Sequence, residues 1–107
     1  MDGVFHALSH AVRRDMLARL AERDRTVGEL ASPLAMSLAA ASKHVKVLEG
    51  AGLVRRTVEG RRHVCRLAPG PLAEASEWLG FYERFWTARL DDLEAMFRSR
   101  NEKKEER

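Results

Sequence analysis

Cysteine occurs once in the 107 residues, and histidine is absent after His63. Each scarcity excludes something. Cys65 cannot close an internal disulfide, so the fold must rest on a packed core, and a single thiol fits a reducing, cytoplasmic setting. No run approaches the roughly 18 apolar residues needed to cross a bilayer, so no membrane partner is expected. The start, Met1-Asp2-Gly3-Val4-Phe5-His6, lacks the basic flank and apolar stretch of a secretory signal. Glycines are scattered among turns, so no phosphate-binding loop is present. Ser9 and His10 adjoin, but no local pattern places a carboxylate beside them. Neither enzymatic activity nor a cofactor is expected.

The charge that is present is unevenly spread. The chain has a formal net charge of +3. Residues 1–42 balance five basic against five acidic side chains. Residues 43–66 carry seven basic groups (Lys43, Lys46, Arg55, Arg56, Arg61, Arg62, Arg66) against Glu49 and Glu59. Residues 67–99 are acidic on balance. A concentration of cations in mid-chain is what a polyanion-binding surface requires.

Periodicity supplies the elements. Val4–Leu8 reads as a short helix, and Ser9 is the expected N-cap of a second that carries Val12, Met16, Leu17 and Leu20. After a polar turn, Thr26-Val27-Gly28-Glu29 has capping-box form and opens a third helix, which Pro33 should end near residue 32. Ser37 caps a fourth helix to about Gly50, with Leu38, Ala41, Val45 and Leu48 on one face. Ala39, Ser42, Lys43 and Lys46 lie on the other. Residues 53–58 and 63–67 read as two strands, turned at Gly60. Pro69-Gly70-Pro71 interrupts the chain before a long helix over about 72–97. Residues 1–98 are thus expected to form one domain, and 99–107 a charged, disordered tail.

This is a mainly α fold with a two-stranded β wing, in the order ααααββα: a winged helix-turn-helix. In that architecture the second helix of the turn motif enters the major groove of double-stranded DNA. The expected DNA-contacting residues are Ser37, Ala39, Ser42, Lys43, His44 and Lys46 on this helix, with Arg61 and Arg62 at the wing tip. Ala39 could meet a thymine methyl, Ser42 a base edge, and the lysines guanine or phosphate. His44, on the flank of the helix, suits either a phosphate or packing.

Five aromatics between residues 78 and 86 give the last helix too much apolar girth for one small domain to cover. A homodimer through the terminal helices is therefore expected. Val4, Phe5, Leu8, Leu72, Ala75, Leu79, Tyr82, Trp86 and Leu93 are expected at its interface.

Ser9-His10-Ala11-Val12-Arg13-Arg14, Thr26-Val27-Gly28-Glu29-Leu30-Ala31, Met36-Ser37-Leu38 and Ser42–Glu49 follow in order. Together with Ala51-Gly52-Leu53-Val54-Arg55-Arg56 and Glu59-Gly60-Arg61-Arg62, they closely resemble the ArsR family of bacterial repressors, over about residues 4–97. The resemblance implies a dimer and repression by operator occupancy, relieved by an inducer. Many members sense metals through cysteines at the third helix or through histidine and carboxylate ligands on the last helix. This chain has neither set, so no metal is expected. His6 and His10 read as ordinary surface or interface residues, and Cys65 as a small buried hydrophobe. Two other readings compete with a DNA-binding repressor. One is a winged-helix module for protein interaction; the other is a repressor whose terminal helices enclose a small apolar effector, identity unknown.

Overall fold

A computed structural model describes the backbone of residues 1–105 and the side chains of residues 1–101. The chain divides into a body, Met1–Ala75, and a second unit beginning at Ser76. The body holds α1 (Asp2–Leu8), α2 (Ala11–Glu22), β1 (Arg25–Thr26), α3 (Val27–Ala31), a 3-10 turn (Ser32–Leu34), α4 (Leu38–Gly50), β2 (Val54–Glu59) and β3 (Arg62–Leu67). Helix α5 (Gly70–Glu105) starts in the body and forms the described part of the second unit. None of the described helices is long and apolar enough to cross a membrane.

Met16, Leu30, Val45, Leu48, Leu53 and Cys65 are fully buried, so one core joins α2, α3, α4 and the sheet. The sheet is antiparallel in the order β1-β3-β2, with Arg25 opposite Cys65 and Arg56 opposite Cys65 on the other side. The expected wing is therefore present, with a third strand added. β1 escaped the sequence reading because two residues are too few to show an alternation. Thr26 ends that strand and also caps α3: its hydroxyl accepts from the Glu29 N–H, and the Glu29 carboxylate accepts from the Thr26 N–H, both at 3.1 Å.

Helix boundaries follow from local chemistry. Ser9 does not cap α2. Its hydroxyl donates to the His6 carbonyl at the end of α1, and His10 is the N-cap, accepting the Val12 N–H on Nδ1 at 3.2 Å. Pro33 does not simply stop the chain after α3. It sits in the first turn of the 3-10 segment, where its missing N–H costs no helical bond. Ala35 then takes up φ 51°, the left-handed region. At the far end of α4, Gly52 (φ 77°) donates to the Glu49 carbonyl and Leu53 to the Leu48 carbonyl. This is the Schellman arrangement, which satisfies the last carbonyls and turns the chain into β2.

α5 exceeds its expected limits at both ends. Pro71 is tolerated inside the first turn, and the helix continues through Glu105. The tail expected to be disordered from residue 99 is helical that far, since Arg, Glu and Lys are good helix formers. Residues 106 and 107 lie outside the described residues.

Candidate nucleic-acid interface

Helix α4 is fixed on one side and open on the other. Ser37 caps it, accepting the Ala40 N–H on its hydroxyl oxygen at 3.1 Å. Ala41, Val45 and Leu48 are buried and tie the helix to the core. Ala39, Lys43 and Lys46 are exposed and Ser42 is half-buried, so these four residues face outward as their spacing predicts. Leu38 does not join the buried face. It is 62% exposed, because at the first position of α4 the core has not yet reached it.

The wing tip is a two-residue turn. Glu59 lies opposite Arg62, leaving Gly60 and Arg61 between them, and Gly60 has φ 64°. A positive φ at the first central residue alone is the pattern of a type II′ hairpin. Arg61 and Arg62 are exposed there, as expected.

The seven cations of the middle segment are not equivalent. Arg56 pairs with Glu49, its Nε lying 3.0 Å from Oε1. Arg66 bonds Asp24 at 3.0 Å and approaches Glu59 at 3.6 Å. Arg62 lies 4.0 Å from Glu29. Arg56 and Arg66 are thereby tied to neighbouring carboxylates, whereas Arg62 is exposed and only grazes Glu29. Lys43, Lys46, Arg55 and Arg61 have no ion-pair partner among the described residues and remain open to an external anion. A carboxylate on Glu29 is favoured as well: hydrogen bonds from the Thr26 backbone, then from the Thr26 side chain, hold its pKa below the ordinary value.

A depression of about 440 Å³ joins the parts. Leu38, Ala39 and Ser42 of α4 line it with Thr26, Val27 and Gly28 at the start of α3 and with Arg56 and His63 of the sheet. Leu38 and His63 are thus site residues that the sequence reading did not single out. Leu38 was hidden by a helical phase that assigned it to the core. His63 could be found only by pairing the strands.

His44 is turned the other way. Its Nδ1 lies 3.3 Å from Nη1 of Arg13, and its ring centroid is 4.7 Å from that of His10. It packs toward α2 and does not join the outward face with Lys43. Burial, followed by the electrostatic influence of His10 and of Arg13, lowers its pKa. Arg13 was not anticipated at all. It is buried, and it donates from Nε to the Ala7 carbonyl at 2.8 Å and from Nη2 to the His6 carbonyl at 3.0 Å. It thereby satisfies carbonyls at the end of α1.

Two residues expected at the interface between protomers are not available to a partner. Val4 (5% exposed) and Ala75 (3%) belong to the core of their own chain. Short apolar residues on a periodic stripe fit a core and an interface equally well, and the body took them first. Phe5, Leu8 and Leu72 are partly buried against that core. Leu79, Tyr82, Trp86 and Leu93 on α5 are exposed. Cys65 is buried, and burial raises its pKa, which disfavours the thiolate needed for redox chemistry. Among the described residues no cluster of histidine, cysteine and carboxylates could hold a metal ion.

Comparison with known proteins points in one direction. A helix-turn-helix domain family matches residues 8–57. The HTH-type transcriptional regulator Rv2034 of Mycobacterium tuberculosis is 42% identical over 89 residues, which are 83% of this chain and 80% of that protein. The crystal structure of the ArsR family transcriptional regulator RHA00566 superposes with a TM-score of 0.73 at 35% identity, covering 80% of this chain and 89% of that one. A homodimeric winged helix-turn-helix DNA-binding domain, Mb0332 from Mycobacterium bovis, has a TM-score of 0.63 at 29% identity, covering 78% and 77%.

Proposed function

The chain belongs to the ArsR family of winged helix-turn-helix transcriptional regulators, and from that premise we propose that it is a repressor that binds a palindromic operator as a homodimer. The observation that carries this reading is the outward side of α4. Ala39, Ser42, Lys43 and Lys46 stand on a helix whose opposite side is locked in the core, and no carboxylate of the described residues neutralises either lysine. A rigid helix with small residues flanked by unpaired cations can enter a major groove closely and still reach base edges and phosphates. Ser37 presents its hydroxyl at the N-terminus of that helix. Arg61 and Arg62 extend the cationic surface along the wing to flanking phosphates or the minor groove.

A dimer suits this task, because two recognition helices read half-sites about one turn of DNA, roughly 34 Å, apart. The homodimeric relative supports it, and so do the exposed Leu79, Tyr82, Trp86 and Leu93 of α5. Partly buried Phe5, Leu8 and Leu72 would add the edges of the seam.

Replacing both Lys43 and Lys46 by alanine should weaken binding to a duplex selected by the wild-type protein by about ten-fold or more and flatten its salt dependence by about two counterions. An unchanged gel shift for the double variant would remove α4 as the recognition helix. Complex formation with an acidic protein but with no duplex would instead favour a protein-interaction module.

A further inference from the structure

α4 turns a polar side chain inward as well as outward. His44 projects from the recognition helix toward α2, where Arg13 Nη1 approaches its Nδ1 at 3.3 Å. A guanidinium can only donate, so Nδ1 must carry a lone pair and the ring must be neutral, with its proton on Nε2. The same Arg13 holds the carbonyls of His6 and Ala7 in α1. One buried side chain therefore links α1, α2 and α4. Beside it, His10 also needs an unprotonated Nδ1, because that atom accepts the Val12 N–H and caps α2. The two imidazoles lie 4.7 Å apart.

We propose that Arg13 and His44 are a positioning pair that seats the recognition helix only while His44 is neutral, so that acidification loosens α4 and weakens DNA binding. Protonating His44 removes the acceptor and sets a cation against the guanidinium. Protonating His10 as well adds a second cation beside the first and breaks the α2 cap. Arg13 and His10 are the charged or titratable groups facing His44 from α2 and its N-cap. α1 presents main-chain carbonyls already taken by Arg13, and along α4 Lys43 and Lys46 are exposed to solvent.

The direction of titration agrees with the geometry. Burial, then His10 and Arg13, lowers the His44 pKa, so in mild acid the folded protein holds fewer protons than the unfolded chain. The stabilisation is complete above the ordinary histidine value of about 6.5 and is lost as pH falls through the lowered one. Simple electrostatics runs the opposite way for DNA. Protonated histidines add positive charge and strengthen duplex binding. A fall in affinity on acidification would thus separate the positioning pair from general charge.

The affinity arm of the test rests on the DNA-binding reading above. Affinity for a selected duplex is measured at about pH 7.5 and about pH 5.5 at constant ionic strength, for wild type and His44→Gln. Glutamine can accept from Arg13 through its amide oxygen but does not titrate. Wild type should lose affinity several-fold between the two pH values, and His44→Gln should lose none. An equal loss in both proteins, or a gain in wild type, overturns the proposal.

A second arm needs neither DNA nor a variant. Nitrogen NMR of the wild-type imidazoles should show His44 with Nδ1 unprotonated and titrating below an unstructured histidine, with α4 amides exchanging faster in acid. An Nδ1–H tautomer, or α4 exchange indifferent to pH beyond its intrinsic dependence, overturns the proposal as well. If neither protein binds duplex DNA at any pH, the recognition reading fails, and the NMR arm alone decides whether the pair exists.

Discussion

Arg13 shows how much one side chain can do without leaving a mark in the sequence. In the string Val12-Arg13-Arg14 it looks like its exposed neighbour Arg14, yet it is buried and satisfies two carbonyls of α1. Replacing it with methionine, similar in length but without donors, takes the Arg13 donor from the Ala7 carbonyl, while the His6 carbonyl keeps the Ser9 N–H and hydroxyl. The expected cost is about 1–3 kcal/mol, read from urea unfolding. A loss below about 1 kcal/mol would mean that water or another donor takes over. Ala35 offers the opposite case. It holds φ 51° in the turn between α3 and α4, where an L side chain is strained. Ala35→Gly should therefore raise stability by about 0.5–1 kcal/mol despite the greater entropy of unfolded glycine, visible as a higher melting temperature. Nothing in the sequence marks Ala35, since left-handed turns are normally read from glycine or asparagine.

At the scale of elements, caps were largely legible and tertiary partners were not. Thr26, Glu29 and Ser37 declared their roles by spacing, and each side chain makes the bond its position predicts. Thr26→Ala should destabilise the chain by about 1 kcal/mol through the loss of the α3 cap. Glu29 carries a pH signature of the same cap. Its carboxylate is held below the ordinary value of 4.5, first by the Thr26 backbone N–H and then by its hydroxyl. A lowered carboxylate pKa stabilises the fold above the unfolded value, and that contribution fades as pH falls through the folded one. Glu29→Gln should consequently flatten the acid limb of unfolding below about pH 4.5, measured by circular dichroism across a pH series. The first residue of α4 departs from the helical stripe for a geometric reason. A hydrophobic stripe assumes that the core extends along the whole helix, and at Leu38 it does not.

At the scale of the whole molecule the central question is what covers α5. Trp86 is 62% exposed, and Phe85, Leu90 and Phe97 are also exposed. Trp86→Glu should sediment as a monomer at micromolar concentration, and its duplex affinity should fall with the loss of the second half-site. A variant that stays fully dimeric would relocate the interface away from this stretch of helix. Val4 and Ala75 are poor targets for the same experiment, because substituting them would injure the core of the body.

The amino-acid sequence by itself determined the order of the helices and of the two wing strands, the capping of α3 and α4, the glycine at the wing tip and the outward side of α4. These depend on neighbours a few residues apart, whose spacing is written in the chain. Only the tertiary structure decided that β1 completes the sheet and that Val4 and Ala75 are core. It also decided that Arg56 and Arg66 are neutralised while Lys43 and Lys46 are not, and that His44 faces Arg13. Those outcomes depend on which distant groups meet, and burial, ion pairing and protonation are properties of the meeting rather than of either residue alone.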